Sequence, residues 1–272
     1  MTLEETLRPD CGACVGLCCV ALPFGRSRDF AFDKAAGEPC RHLTPADGCG
    51  IHSELRGRGM VGCTVYGCHG AGQQVSQVVY AGRSWRDGAA MAGEMFAVFA
   101  VVQGLHEMLV LLADAGRWAV GPRRGELDAL TERLRAASGG TPTEVLGVEV
   151  DRFRASVGEF LRSLSAEARG AAGAALAGAD LVGRDLRRTD LRAADLRGAL
   201  LVAARLSGSD LTRADLLGAD LRDARLDGAD LSGALLLTQP QVDAARGDER
   251  TRLPAGLERP AHWLPPHPAG AH

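Results

Sequence analysis

The sequence predicts a multi-domain α+β protein built from three unlike parts, and three observations predict it. All eight cysteines fall between residues 11 and 68. Apolar residues between positions 91 and 112 alternate steps of four and three, the spacing of one helix face. From residue 176 to 236 a leucine returns at every fifth position, thirteen times without a break. A chain of 272 residues is long enough for more than one domain. The expected boundaries are a cysteine-rich, metal-stapled module at 1–88, a helical region at 89–170, a repeat column at 171–237, and a cap with a proline-rich tail at 238–272.

Composition narrows the classes. Hydrophobic content of 46% and a net charge of -3 describe a globular chain, not a disordered one, and argue against general nucleic-acid binding. Lys34 is the single lysine among 31 basic residues. That bias reads as the codon usage of a GC-rich genome, so an isolated arginine says little about phosphate binding. The first ten residues, MTLEETLRPD, hold no apolar run of the signal-peptide kind. The stretch 91–112 is long enough for a bilayer but contains Glu94, Gln103, His106 and Glu107, which are costly in lipid. It is read as a buried helix, with no membrane partner. The expected location is cytoplasmic, where thiols stay reduced.

In the first region the cysteines run Cys11, Cys14, Cys18, Cys19, then Cys40, Cys49, Cys63 and Cys68. Thiolates two residues apart reach one ion from a tight turn. Eight suit two four-thiolate zinc sites, two iron–sulfur clusters, or one site with cysteines left over. His42, His52 and His69 lie nearby, and His52 and His69 are the candidates to replace a thiolate. Four disulfides are the rival reading, disfavoured in a reducing compartment. The module also resembles the YkgJ-type family of zinc- or iron-chelating domains over residues 11–69. Cys11, Cys14, Cys18 and Cys19 match its opening C-x2-C-x3-CC. Cys40 with Leu43 matches its second element, and Cys49-Gly50-Ile51-His52 matches its third, with His52 where tyrosine is usual. Cys63 and Cys68 match the last, without the Arg-Pro that normally precedes it. The resemblance implies a zinc or iron–sulfur cofactor. Because that family includes flagellin lysine methylases, it also raises an enzymatic alternative. No glycine-rich site for a methyl donor is evident.

The second region is helical. Met91, Met95, Val98, Val102, Leu105, Leu109 and Leu112 form its first stripe, and Leu127, Leu130 and Leu134 a shorter one. Thr141-Pro142-Thr143-Glu144 is a capping box. It is expected to open a third helix with Leu146, Val150, Phe153, Val157, Phe160 and Leu164 on one face. These stripes read as core packing.

In the third region, a period of five fits neither a helix nor a straight strand. All the leucines can face inward only if the chain turns a corner at every repeat and coils upon itself. Ten of the thirteen leucines have alanine two residues earlier, which suits a crowded interior. This pattern resembles the pentapeptide-repeat family over about residues 174–237. The resemblance implies a right-handed quadrilateral β-helix with four repeats per coil, here about three coils and roughly 15 Å tall at strand spacing. Arg184, in an alanine position, is expected at an irregular or exposed side. Asp190, Asp210 and Asp230 should then stack as an acidic stripe.

The functional expectation is a metal-binding scaffold or adaptor, with no catalysis of its own and a protein partner on the coil's faces. An iron–sulfur redox or methyl-transfer enzyme is the alternative. A DNA mimic protecting gyrase ranks last, because residues 176–236 carry ten aspartates against nine arginines and are nearly neutral. The sequence leaves a homodimer open.

Overall fold

A computed structural model describes residues 3–170 and 172–264. The chain divides into two compact units, Met1–Leu161 and Arg162–His272. The last eight residues of the expected proline-rich tail lie outside the described residues.

The first unit opens with short helices, α1 (Leu3–Leu7), α2 (Leu17–Ala21), α3 (Val61–Val65) and α4 (Ala71–Gln73), joined by long irregular stretches. α4 runs directly into a π-helical turn, Gln74–Val79. Next comes α5 (Ala89–Ala115). By length and composition α5 could cross a membrane, but half of its most apolar window is buried. Its predicted stripe lies in the core of the unit: Met95, Val98, Val102, Leu105, Leu109 and Leu112 are buried and Met91 is half-buried, while Phe99, off the stripe, is buried as well. Leu17, Ala71 and Val75 from the cysteine-bearing segment pack into the same cluster. The long helix is therefore the floor on which the cysteine loops rest.

α6 (Pro122–Ser138) buries Leu127 and Leu134 and starts with proline in its first turn. The capping box forms as expected: the Thr141 hydroxyl accepts from the Glu144 amide, and Glu144 accepts from the Thr141 amide. The helix it opens is shorter than its stripe implied. α7 (Pro142–Leu146) ends at Gly147, whose N–H turns back to the Thr143 carbonyl, and α8 (Val150–Arg169) starts afresh. Glycine's low helix propensity divides one apolar stripe between two helices.

The second unit corrects the expected fold. None of the described residues lies in a β-strand, which overturns both the α+β class and the right-handed quadrilateral β-helix. Residues 174–235 instead make a coil of tight turns held by isolated parallel bridges, each joining a residue to the one twenty positions on: Ala175 to Asp195, Asp195 to Asp215, Asp215 to Leu235. The reason is local. After each leucine the chain turns, with the N–H three residues later returning to the leucine carbonyl, as from Ala179 to Leu176 at 3.1 Å. The second residue after the leucine is left-handed at almost every corner, as at Gly178, Gly198 and Gly218, which is the type II arrangement. With two of every five residues spent on a corner, one isolated bridge per side remains and no strand can extend. The leucines and alanines still face inward: Leu196, Leu201, Leu206, Ala204 and Ala214 are completely buried. Arg184 is exposed, beside a left-handed Gly183.

Residues after 237 close one end of this coil. Bridges from Arg225 to Arg246 and from Asp230 to Arg252 add a further, non-repeating layer. α9 (Gln239–Ala244) places the Gln241 side chain under the Leu216 and Ala219 carbonyls, at 2.8 and 2.9 Å. Trp263 packs into the leucine core and donates to the Ala245 carbonyl at 3.0 Å. Gly247 is required there, because a Cβ on it would stand 2.6 Å from the indole. On a side face, the last turns of α8 lie against the coil. Ser165 donates to Asp215, both fully buried, and Arg169 pairs with Asp195 at 3.2 Å.

Candidate metal centre

The loop bearing the first cysteines buries Leu17 and Val20. It is strapped down by side chains from sixty or more residues later. Gln73 accepts from the Asp10 N–H at 2.7 Å and donates to the Arg8 carbonyl at 2.8 Å. Gln77 donates to the Ala13 carbonyl, the Ser76 hydroxyl accepts from the Val15 N–H, and the Trp85 indole donates to the Val15 carbonyl at 2.8 Å. Three of these groups lie on α4 and its π-helical continuation. That wider turn brings Gln73, Ser76 and Gln77 to bear on one loop, a use π-turns often have at functional sites. Gly72 leaves room for a sulfur: a Cβ there would meet Cys14 Sγ at 2.6 Å.

All eight cysteines are free thiols. Cys40 is buried, Cys11 exposed, and the other six are half-buried. The Cys40 N–H donates to the Cys19 carbonyl at 2.9 Å, and Leu43 bridges to Cys49. Residues about twenty positions apart are thereby set side by side. Burial raises the Cys11 and Cys14 thiols above their ordinary range, and both also feel Cys68. Burial raises Cys63 to about 11, with Cys19, Cys40 and Cys49 adding to the effect. Cys49 is raised likewise by burial, with Cys19 and Cys40 as its charged neighbours. Cys19 is the exception. The Cys18 thiol donates to its sulfur and the Lys34 ammonium stands near, so Cys19 is the thiol of that pair that ionises more readily.

Of the histidines, His52 is exposed in a short 3-10 turn, His52–Glu54. His42 stacks edge-on against Phe32 at 5.7 Å. His69 adopts a left-handed backbone at φ 48°, and its carbonyl accepts from the buried His106 ring on α5 at 2.6 Å. That hydrogen bond pins the segment after Cys68 to the long helix. Among the described residues, no three His, Cys, Asp or Glu side chains are arranged to ligate one ion. The eight free cysteines supply sulfur donors of the type thiophilic cations take.

Sequence reasoning missed the straps and Lys34. The straps join residues far apart in sequence, and nothing in a glutamine or serine signals a distant partner. Lys34 carried a signal, its singularity, which compositional bias concealed.

The stacked aspartates are present but are not an unanswered acidic stripe. Asp190 bridges to Asp210 and Asp210 to Asp230. Arg192 pairs with Asp190 at 2.6 Å, Thr212 donates to Asp210, and Arg252 meets Asp230 at 2.9 Å. Asp185, Asp195 and Asp220 are paired in the same way with the arginine two residues on.

Comparison with known proteins finds the repeat in the sequence. The family described as pentapeptide repeats matches residues 172–208 and 199–236, with eight copies. The "Uncharacterized protein YybG" of Bacillus subtilis (strain 168) is 46% identical over 282 residues, covering 96% of each chain. A crystal structure of a pentapeptide repeat protein from Nostoc Pcc 7120 aligns with 38% of this chain and 92% of its own, at 26% identity and a TM-score of 0.19. With such identity along nearly its whole length, the chain belongs to the family of Bacillus subtilis YybG, and its C-terminal part is built of pentapeptide repeats.

Proposed function

We propose that the protein is an adaptor whose N-terminal cysteines hold zinc or an iron–sulfur centre and whose repeat coil presents its faces to a protein partner. The carrying observation is the gathering of the cysteines. Cys14, Cys18 and Cys68 pack against the cluster built on α5, and the Cys40 N–H reaches the Cys19 carbonyl at 2.9 Å. Thiols crowded in a half-buried site raise one another's cost of ionisation, and a bound cation removes that cost. The resemblance to metal-chelating domains over residues 11–69 supports the same reading. When bound, the metal would fix the loops between the cysteines. The chain's own part is to position the sulfurs, through the Gln73, Ser76, Gln77 and Trp85 straps, and to shield them on the core side with Leu17, Val75 and Phe99.

The coil supplies rigidity. Its interior is filled by leucine and alanine, and its outer faces carry aspartate–arginine pairs at regular spacing. Such faces are charged but locally neutral, suited to a partner with matching alternation of charge. The test is metal analysis with an absorption spectrum on full-length protein purified without oxygen. The reading expects at least roughly one zinc or iron centre per chain. A chain that arrives without metal and takes up neither zinc nor iron would refute it.

A further inference from the structure

We infer that the open N-terminal end of the repeat coil is a docking surface for a second copy of this chain, the two coils meeting end to end about a two-fold axis. This concerns the coil alone and does not depend on metal binding.

The two ends of the coil differ. At the far end the residues after 237 add a layer and satisfy the backbone. The Arg246 N–H reaches the Ala224 carbonyl at 2.8 Å, the Arg252 N–H reaches the Ala229 carbonyl at 2.9 Å, and the Arg246 carbonyl accepts from Leu226 at 2.7 Å. The near end has no such layer. Inside the coil, the residue before each leucine donates its N–H to the layer below, as Leu200 does to Ala179 at 2.9 Å and Arg205 to Arg184 at 2.8 Å. Its carbonyl accepts from the leucine below, as that of Asp195 does from Leu176 at 2.8 Å. In the first layer this position is held by Asp180, Asp185 and Asp190. Among the described residues, their N–H groups find no acceptor and their carbonyls no donor. An open backbone edge of this kind is a template for pairing with another chain.

The apolar core is uncovered at the same place. Leu176, Leu181 and Leu186 of the first layer are half-buried, whereas Leu196, Leu201 and Leu206, one layer up, are completely buried. Val182, next to Leu181, and Leu200, bridged to Asp180, are exposed and widen the apolar rim.

Two features select a second copy as the occupant. First, Asp180, Asp185 and Asp190 each offer a free donor and a free acceptor on one residue. Two residues of that kind facing each other antiparallel exchange both hydrogen bonds. A two-fold axis across the coil end sets identical edges against each other in that sense. Second, the unanswered charges on the rim are of both signs. Asp185 and Asp190 each hold an arginine at 2.6 Å. Among the described residues Asp180 has no cationic partner, and its carboxylate accepts from the Val182 N–H. Arg184 and Arg188, exposed in the same layer, have no carboxylate partner among the described residues. Across the two-fold axis, the arginines of one copy answer Asp180 of the other.

The test is sedimentation equilibrium on full-length protein kept reduced, so that free thiols do not cross-link the chains. One coil end is a small surface, so a dimer with a dissociation constant of about 1–50 µM is expected. Asp180→Arg adds a third cation to the rim and should weaken association by about tenfold or more, with the circular dichroism spectrum and urea midpoint unchanged. Adding Arg184→Asp and Arg188→Asp to that variant should recover most of the loss. Glu249→Arg makes the same charge change at the capped end, on an exposed residue, and should leave association unaltered. Amide exchange over residues 180–190 should be fast in dilute protein and slow by about tenfold or more once the dimer forms. A monomer at every concentration would overturn the inference. So would a dimer indifferent to Asp180→Arg, one broken by Glu249→Arg, or one whose edge amides exchange as fast as those of the monomer. The metal content of the protein is measured separately and is untouched by any of these results.

Discussion

At the scale of the residue, the corners of the coil show how tightly conformation is set. The second residue after each repeat leucine is left-handed at Gly178, Gly198, Gly208, Gly218 and Gly228, but also at Arg188, Ala193, Ala203 and Arg213. A left-handed residue with a Cβ costs about 1–2 kcal/mol, so the arginine and alanine corners hold strain that glycine corners do not. Gly218 has open space where a Cβ would go, which leaves backbone conformation as the whole effect of replacing it. Gly218→Ala should therefore destabilise the coil by about 1 kcal/mol or slightly more, and Ala203→Gly should stabilise it by roughly 0.5–1 kcal/mol, both read as shifts in urea unfolding. Equal effects of the same sign would contradict the corner assignment. The inward leucines and alanines were legible in the sequence because period five leaves them no other common side. The burial of Asp215 was not. It shares its repeat position with the exposed Asp180 and Asp185, and only the end of α8 lying on that face distinguishes it.

At the scale of the element, α8 shows what an apolar stripe does and does not specify. Val157, Phe160 and Leu164 are buried at the predicted spacing, and Leu161 and Ser165, off that stripe, are buried beside them. The break at Gly147 and the polar contacts of the last turns do not follow from it, because hydrophobic period carries no information about where a helix is interrupted or what its polar face meets. Ser165 donates to Asp215 and accepts from Arg169, while Arg197 lies 3.7 Å from the same Asp215. Removing the hydroxyl leaves a buried carboxylate short of a donor. Ser165→Ala should cost about 1–3 kcal/mol, measured by denaturant unfolding, and Asp215→Asn combined with it should recover part of that loss. If Ser165→Ala is neutral, the helix end does not dock through this network. The cysteine segment offers a parallel case. The spacing of Cys11, Cys14, Cys18 and Cys19 marked the candidate ligands, but the groups that hold them, Gln73, Ser76, Gln77 and Trp85, became visible only once the chain was folded.

At the scale of the whole molecule, the chain divides within α8, with the cysteine loops and α5 in one unit and the coil with its end cap in the other. The leucine period announced a coil, and the resemblance assigned it strands that the corners leave no room for. Charge behaves differently in the two units. In the coil, the Arg187 side chain bonded to Asp185 lowers that carboxyl to about 2 from an ordinary 3.8. Arg192 and Arg197 lower Asp190 and Asp195 in the same way. A depressed carboxylate contributes stability above its unfolded pKa and loses it as the pH falls through the folded value. Asp215 is raised by burial and acts in the opposite sense, its contribution fading as pH rises. The paired aspartates outnumber it, so the urea midpoint of the coil should fall between about pH 4 and pH 2, and a midpoint that climbs over that interval would count against the pairing.

For the first unit the proposed function rests on its sulfurs. X-ray absorption at the metal edge of anaerobically prepared full-length protein examines it directly. The account predicts a first shell of sulfur at about 2.3 Å. A shell of oxygen and nitrogen alone, or a metal-free protein with its cysteines joined as disulfides, would contradict it.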